Sequence, residues 1–256
     1  MSLAERYLEA VKQCDVAAYG NGQTDPNLLI TREGRVTVEY APFDYIESGA
    51  QLVIVGLTPG RTQATNAISE MQKRLLAGDD LMAALIAAKR FASFSGSMRS
   101  ALVRMLDKIR LPQVYGHGSA YDFFSDNARV HFTSSLRYPV YVDGKNYSGN
   151  PAPLKTASLL GQIDTHLAEE AATLPDATWI PLGKHAEAAL SHLCEKGRLK
   201  RDQVLIGLPH PSGANAERIA YFLGTKPREQ LSVKTNPTTI DTNLRRLVRQ
   251  VERLSE

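Results

Sequence analysis

The stretch QLVIVGLTPGR, residues Gln51–Arg61, decides the fold, because a short apolar run passes directly into a turn with two glycines and a proline. An apolar run of this length, bounded by turn residues, is typical of a strand that is buried on both faces. The loop Gly56–Gly60 allows a tight bend in which the backbone approaches a ligand closely. Its spacing fits neither a Walker phosphate loop nor a dinucleotide fingerprint, so this loop on its own identifies no ligand.

Three further apolar runs are similar to the first, and segments with helical spacing lie between them. The predicted strands are Gln51–Leu57, Arg129–Ser134, Thr178–Leu182 and Gln203–Leu208. The predicted helices are Leu81–Arg90, Met98–Ile109, Thr156–Ala172, His185–Lys196 and Ala216–Phe222. This alternation favours a parallel sheet that is covered on both faces. We therefore predict an α/β fold, a three-layer α/β/α sandwich with a central four-stranded parallel sheet, which binds ligands at the carboxyl ends of its strands.

The rest of the chain contains no internal repeat and no long polar linker, so we predict a single domain over residues 1–256. Residues 1–48 form an N-terminal extension that begins with a short helix, Ala4–Lys12, and residues 225–256 form a C-terminal tail. The tail ends in an amphipathic basic helix, Asn243–Leu254. We interpret its arginines as a solvated outer face rather than a DNA-binding stripe; they are Arg245, Arg246, Arg249 and Arg253.

Composition narrows the class of protein. The 256 residues are 43% hydrophobic and 22% charged, which suits one large or two small globular domains and excludes a disordered or collagen-like chain. The apolar runs are too short to cross a bilayer and no secretory signal is recognisable, so we predict a cytoplasmic protein without a membrane partner. The two cysteines, Cys14 and Cys194, exclude a disulfide framework and a cysteine-rich metal site. A formal net charge of +3 permits a nucleic-acid partner without requiring one.

The last predicted strand runs into a second unusual loop, LPHPSGAN, residues Leu208–Asn215. Its histidine, His210, lies between two prolines, which fix their own φ angles and restrict their neighbours. An imidazole held rigidly at the carboxyl end of a strand suits catalysis or the reading of a ligand. Ser212 occupies the position of an N-cap for the helix that follows. A structural turn with an incidental histidine is the alternative interpretation.

Taken together, the two loops resemble those of the uracil-DNA glycosylase superfamily. Members of that family carry a Gly-x-x-Pro-Gly-like loop after the first strand and a His-Pro-Ser-like loop after the last, and Gly56–Gly60 and His210–Ser212 match these in order. Two weaker matches lie between them. Phe94-Ser95-Gly96 resembles the Phe-x-Gly segment of some branches, and Thr133–Arg137, followed by Asn150-Pro151, resembles the segment that supplies a base-reading side chain.

The resemblance implies an enzyme that extrudes a damaged nucleotide from DNA and hydrolyses the bond between sugar and base. Phe94 would stack on the base, His210 would donate a hydrogen bond to the departing base, and Thr58 would lie beside the sugar and the attacking water. These groups would enclose one base-sized hollow. The other implied base-binding residues are Gly56, Leu57, Pro59, Gly60 and Ser134, and the implied DNA contacts are Arg61, Ser212, Gly213 and Asn215. DNA is the implied partner, and neither a metal nor an organic cofactor is implied.

Three departures from the family pattern keep other functions open. Active relatives often carry Asp, Asn or Glu in the first loop to position water, whereas this chain has Leu57 and Thr58 there. Another branch has an Asp after its Phe-x-Gly segment, where this chain has Ser97. Many relatives read the base edge with an amide, whereas Ser134 offers a hydroxyl. The alternatives are a non-catalytic module that binds single-stranded nucleic acid or a nucleotide, and an accidental resemblance of the loops.

Overall fold

The computed structural model describes residues 1–94, 97–125 and 129–254. Its helices are α1 (Leu3–Gln13), α2 (Val16–Gly20), α3 (Arg61–Leu76), α4 (Leu81–Ala92), α5 (Ser97–Lys108), α6 (Leu111–Val114), α7 (Ala157–Gln162), α8 (Ala168–Thr173), α9 (Lys184–Glu195), α10 (Ala216–Leu223) and α11 (Pro237–Leu254). Its strands are β1 (Leu29–Glu33), β2 (Val36–Glu39), β3 (Leu52–Gly56), β4 (Val130–Ser134), β5 (Val140–Val142), β6 (Lys145–Asn146) and β7 (Thr178–Pro181). Within these ranges, no helix combines the length and the apolar character that a membrane span requires.

The chain divides into two compact units. The first unit comprises Met1–Ser48, Leu57–Ser93 and Phe132–Thr173. The second comprises Gly49–Gly56, Phe94–His131 and Leu174–Glu256. Residues 1–48, predicted as an extension, therefore supply a large part of the first unit.

The second unit contains a parallel sheet with the strand order β4-β3-β7, and the chain leaves this unit within β4. β3 and β7 pair with Val53 opposite Trp179 and Val55 opposite Pro181. Leu52–Val55 and Trp179 are fully buried, as expected for strands covered on both faces. α9 packs on β7, and α10 packs on both α5 and α11. The predicted α/β class, with a parallel sheet among helices, is confirmed.

The predicted fourth strand, Gln203–Leu208, is reduced to one parallel bridge between Val204 and Trp179. Residues 205–210, all of them described, form no strand. Gly207 has a φ of 118°, which lies outside the range of a strand, and Pro209 has no N–H to donate to a ladder. In the described part of the chain, the central sheet therefore has three strands instead of the predicted four.

The first unit contains a second sheet, which the sequence analysis did not predict. Its strands are antiparallel in the order β1-β2-β5-β6, with Val36 of β2 opposite Val142 of β5. The β5–β6 hairpin turns through Asp143 and Gly144, whose φ angles of 50° and 73° are typical of a type I′ turn. α3 packs against α4 and is adjacent to α1 and α2.

Most predicted helices are confirmed to within two residues of their predicted ends. The predicted helix Thr156–Ala172 consists of α7 and α8 with a π-helical turn, Ile163–Leu167, between them. α11 begins at Pro237, six residues earlier than predicted. α3 was not predicted, because its few apolar residues form no strong stripe.

Candidate functional site

The carboxyl ends of β3 and β7 lie at one edge of the parallel sheet in the second unit. β3 ends at Gly56, and Leu182, which follows β7, donates its N–H to the β3 backbone at 2.8 Å. Gly183 comes next and is the N-cap of α9. The segment that follows the isolated parallel bridge runs to this same edge, where it reaches His210. Ligands of parallel sheets bind at this kind of edge.

His210 is held in one tautomer by its own loop. Its Nδ1 accepts a hydrogen bond from Ser212 N at 3.2 Å, so the proton of the neutral ring lies on Nε2. Burial lowers the pKa of the His210 imidazole below its ordinary value, because a charged ring is disfavoured away from water. The ring is therefore neutral at pH 7 and offers an N–H donor at Nε2.

Gly183 lies directly against His210. It has a φ of 85°, and a Cβ added at this position would lie 3.2 Å from the Cβ of His210. Both the backbone conformation and the close approach require glycine here. Gly183 was not among the predicted site residues, since a glycine before a helix is common and carries no signal for what packs on it.

The turn after His210 contains the residues predicted to contact DNA. Gly213–Asn215 forms a single 3₁₀ turn before α10, so Ser212 precedes this turn instead of capping α10. Asn215 Nδ2 donates to Ser212 Oγ at 3.3 Å, and Arg218 Nη1 donates to Asn215 Oδ1 at 2.8 Å. Gly213 is exposed. The side chains of Ser212, Asn215 and Arg218 thus orient one another through hydrogen bonds, and the Arg218 guanidinium places a positive charge at this turn.

Phe94, the predicted stacking ring, belongs to the same unit as His210. Only 5% of its surface is exposed, and its φ of 48° lies in the left-handed region that bulky residues rarely adopt. Strain of this kind concentrates at ligand-binding sites. Ser95 and Gly96, which complete the predicted segment, lie outside the described residues, as does the side chain of Ser97. α5, which follows, packs against α10, the helix after the His210 loop.

The remainder of the first loop belongs to the first unit, where Thr58 ties it to the segment after β4. The Thr58 hydroxyl donates to Tyr138 O at 3.1 Å and accepts from Val140 N at 3.2 Å. The proton and one of the two acceptor lone pairs of this hydroxyl are therefore engaged by backbone groups. The geometry assigns Thr58 a role in holding two segments together, which differs from the predicted role beside an attacking water.

Arg61, predicted to contact DNA, is directed into the first unit. Its guanidinium lies 3.7 Å from the centroid of the Tyr141 ring, and its Nη1 donates to Glu39 Oε2 at 3.3 Å. Its backbone N–H donates to Asn146 Oδ1 at 2.8 Å. Only 8% of the residue is exposed. The charge is thus engaged by an aromatic ring and a carboxylate of the protein itself.

The predicted site residues divide between the two units. Those in the second unit are Gly56, Phe94, His210, Ser212, Gly213 and Asn215. Those in the first unit are Leu57, Thr58, Pro59, Gly60, Arg61 and Ser134, of which Pro59 and Arg61 are buried and the others half-buried. Within the second unit, the structure brings Gly56 and His210 to one edge of the sheet. Within the first, it brings Thr58 to the segment that follows Ser134.

A buried ionic cluster in the first unit was not predicted. Arg137 Nε donates to Glu170 Oε1 at 3.0 Å, and both side chains are buried. Tyr138 OH donates to Asp44 Oδ1 at 2.7 Å. Burial lowers the pKa of the Lys89 ammonium to about 8. These partners are far apart along the chain, so no periodicity in the sequence signals that they meet.

A separate pocket of about 200 Å³ lies at the amino ends of β3 and β4, within the second unit. Its lining residues are Gln51, Tyr115, His117, Arg129 and Val130. Because the strands are parallel, this pocket is at the opposite edge of the sheet from His210.

Among residues 1–94, 97–125 and 129–254, no three His, Cys, Asp or Glu side chains form a group that could hold a metal ion.

The chain is similar over most of its length to a bacterial protein. Over 225 residues the chain is 36% identical to a protein of Bacillus subtilis (strain 168) that bears the name Uncharacterized protein YoxB. The match covers 85% of this chain and 86% of that protein. No family model and no solved structure matches the chain. Since the similarity extends over most of both sequences, the chain belongs to the same protein family as YoxB of Bacillus subtilis.

Proposed function

We propose that the protein is a uracil-DNA-glycosylase-like hydrolase, which excises a deaminated or damaged base of the uracil type from DNA. The observation that carries this proposal is the state of His210. Cleavage of the N-glycosidic bond leaves negative charge on the departing base. An N–H donor aimed at a pyrimidine carbonyl oxygen stabilises that charge, typically by about 3–4 kcal/mol. His210 presents such a donor at Nε2 on a neutral ring.

The way in which His210 is held supports the same role. A donor contributes most when it is already oriented, because no free energy is then spent on reorganisation during the reaction. The N–H of Ser212 fixes the tautomer, and the backbone of Gly183 lies against the Cβ of the histidine. The two prolines beside His210 restrict the backbone further. The loop is therefore built to hold an imidazole in one orientation.

The fold and Phe94 supply further support. We propose that the three parallel strands and the bridge at Val204 correspond to the four-stranded sheet of the uracil-DNA glycosylase fold. Phe94 is the proposed platform for the extruded base, and stacking on an aromatic ring contributes about 1–3 kcal/mol per base. Because only 5% of Phe94 is exposed, this role requires that base binding uncovers the ring. Its left-handed backbone is the kind of strain that ligand sites retain.

Thr58 favours a second candidate, a module of the same fold that binds single-stranded nucleic acid or a nucleotide without catalysis. Its hydroxyl is engaged by the backbone of Tyr138 and Val140, and a threonine is no base near neutral pH. Leu57, the neighbouring loop residue, has no polar group with which to position water. In this candidate, His210 would read a base and would not promote its departure.

A base-release assay tests the first proposal. Oligonucleotides that contain uracil, hypoxanthine or xanthine, single- and double-stranded, are incubated with the protein, and abasic sites are detected by alkaline cleavage. We expect release of at least one of these bases, with a rate that falls about 100- to 1,000-fold in His210→Leu, whose side chain has no hydrogen-bond donor. His117→Leu, which removes an imidazole at the other edge of the sheet, is the matched control and keeps the wild-type rate.

Two outcomes would decide against the hydrolase. If the wild-type protein shifts these oligonucleotides in gels, with a steep dependence on salt, but leaves no abasic product, the binding module is the function. If long-range ¹⁵N–¹H spectra place the proton of His210 on Nδ1, the Nε2 donor is absent and the proposed stabilisation of the departing base fails.

A further inference from the structure

The net charge of the chain is concentrated in its C-terminal segment. Residues 225–256 contain seven basic and four acidic residues, an excess of three that equals the formal net charge of +3 of the whole chain. The remaining 224 residues are therefore balanced in charge. A local excess of this kind points to an acidic partner at this segment rather than to a generally basic protein.

The arginines of α11 form one face, here called the basic face: Arg245, Arg246, Arg249 and Arg253. At 3.6 residues per turn, their positions fall within an arc of about 100°. The opposite side of the helix carries Ile240, Leu247 and Val251, which are buried. All four arginines are exposed. The helix thus packs through its apolar side and presents its cations outwards.

In the described part of the chain, no carboxylate forms an ion pair within 4.0 Å of these four guanidinium groups. Asp241 and Glu252 lie at the edge of the basic face on the helix surface. The Asp241 carboxylate accepts a hydrogen bond from Tyr221 OH at 3.0 Å. Arg246 Nη2 donates to Asn243 Oδ1 at 3.2 Å, and the Arg246 charge also lowers the pKa of Glu187 on α9, against the larger effect of burial, which raises it. Arg245, Arg249 and Arg253 are therefore available to an external polyanion.

One end of the basic face lies beside the segment that leads to His210. A Cβ added at Gly207 would lie 2.9 Å from the Cβ of Asn243 and 3.2 Å from Nη2 of Arg246. Gly207 is three residues before His210 and has a φ of 118°. The glycine lets α11 approach this segment closely, and this contact places Arg246 next to the loop that carries the imidazole.

We infer that the basic face of α11 binds the phosphate backbone of the DNA from which the base is excised; this inference rests on the proposed function. Arg245 to Arg253 spans about 12 Å of helix, which corresponds to about three or four nucleotides of one strand. An anionic membrane is disfavoured as the partner. Basic amphipathic helices bind lipid through an exposed apolar side, and here Leu247 and Val251 are buried.

The salt dependence of DNA binding tests this inference. In the triple variant Arg245→Gln, Arg249→Gln and Arg253→Gln, we expect the slope of log K against log salt concentration to become less negative by about two to three. At about 0.1 M salt, the dissociation constant for an oligonucleotide should rise about 10- to 100-fold. A triple Arg→Lys variant keeps the charges and should retain most of the binding.

The control is a triple variant with the same change of charge in the first unit, Arg6→Gln, Lys12→Gln and Lys73→Gln, all at exposed positions. It should keep the wild-type slope, and thermal melting confirms that every variant is folded. An unchanged slope in the α11 variant would overturn the inference, as would a loss of binding to vesicles of anionic lipid without any change in DNA binding. If the slope changes as expected but the wild-type protein releases no base, the DNA-binding face stands and the proposed hydrolase fails.

Discussion

Replacement of Gly183 by alanine tests whether the backbone beneath His210 sets the position of the imidazole. Gly183 has a φ of 85°, and an added Cβ would lie 3.2 Å from His210 Cβ, so one of the two must move by a few tenths of an ångström. Its ψ of 172° places Gly183 in a region that is essentially confined to glycine, where an L-residue costs about 1–3 kcal/mol. The substitution therefore has two separable effects, a lower free energy of unfolding and a displaced imidazole.

Gly197→Ala supplies the matched control. Gly197 has a φ of 67°, and nothing lies within 4 Å of the added Cβ. Gly197→Ala should lower the free energy of unfolding by about 1–2 kcal/mol, and Gly183→Ala by about 1–3 kcal/mol, because its φ of 85° and ψ of 172° define a region that is essentially confined to glycine. Only Gly183→Ala should move His210. Because a misplacement of 1 Å can cost about 100-fold in rate, a shift of a few tenths of an ångström should lower kcat for base release by about 3- to 10-fold.

Three measurements separate these effects. Urea denaturation gives the free energy of unfolding, NMR of the imidazole Cε1–H reports the environment and the pKa of His210, and kcat is measured with saturating oligonucleotide. The reasoning is refuted if Gly183→Ala shows the same His210 resonance and the same kcat as the wild-type protein. The NMR result remains informative even if the protein releases no base.

Three other predictions concern stability. Thr58→Val removes the acceptor of the Val140 N–H and should lower the free energy of unfolding by about 1–3 kcal/mol, whereas Thr58→Ser should largely restore it, as measured by urea denaturation. Gly207→Ala places a Cβ 2.9 Å from Asn243 Cβ, so its destabilisation should be smaller in an Asn243→Gly background, and equal losses in the two backgrounds would contradict the close contact. Lys89 has a folded-state pKa of about 8 against an ordinary value of 10.5. Between these values only the unfolded chain holds the proton, so the free energy of unfolding should rise with pH, and this part of the rise should be missing in Lys89→Met.

The strands and helices that were predicted correctly are those whose apolar residues form a regular pattern over a few consecutive positions of the chain. The strand at Gln51–Leu57 was predicted from an unbroken apolar run, and β3 occupies Leu52–Gly56 within it. Trp179, which lies within the predicted strand Thr178–Leu182, is fully buried. Helices such as α9 were found because their apolar residues recur at the helical period. In each case, neighbours along the chain carry enough information to define the element.

The antiparallel sheet of the first unit was missed because its strands are short and partly exposed. β1 has no buried residue, and β6 has only two residues, so neither produces an apolar run. The one local signal was the pair Asp143-Gly144, which is typical of a two-residue hairpin and follows the apolar stretch Val140–Val142. A search for hairpin turns as well as for apolar runs would have found β5 and β6.

The buried contacts of Arg61 and Arg137 could not be predicted from the sequence. Each arginine meets a carboxylate that is 22 or 33 residues away, Glu39 or Glu170. In the sequence these are ordinary charged residues, and exposure is the usual expectation for arginine. Only tertiary structure shows that Arg61 faces the interior, whereas the exposed arginines of α11 were recognised by their amphipathic spacing.

The prolines beside His210, which made it a candidate site residue, also help to explain why the segment before it forms no strand. Pro209 and Pro211 predict a rigid loop, but Pro209 has no N–H for a ladder, and Gly207 has already left the strand conformation. The imidazole is therefore not positioned by sheet hydrogen bonds. Its orientation depends on two local contacts, the Ser212 N–H on its Nδ1 and the backbone of Gly183 against its Cβ. Because these contacts hold the ring, an added methyl group at Gly183 should displace the donor on which the proposed chemistry depends.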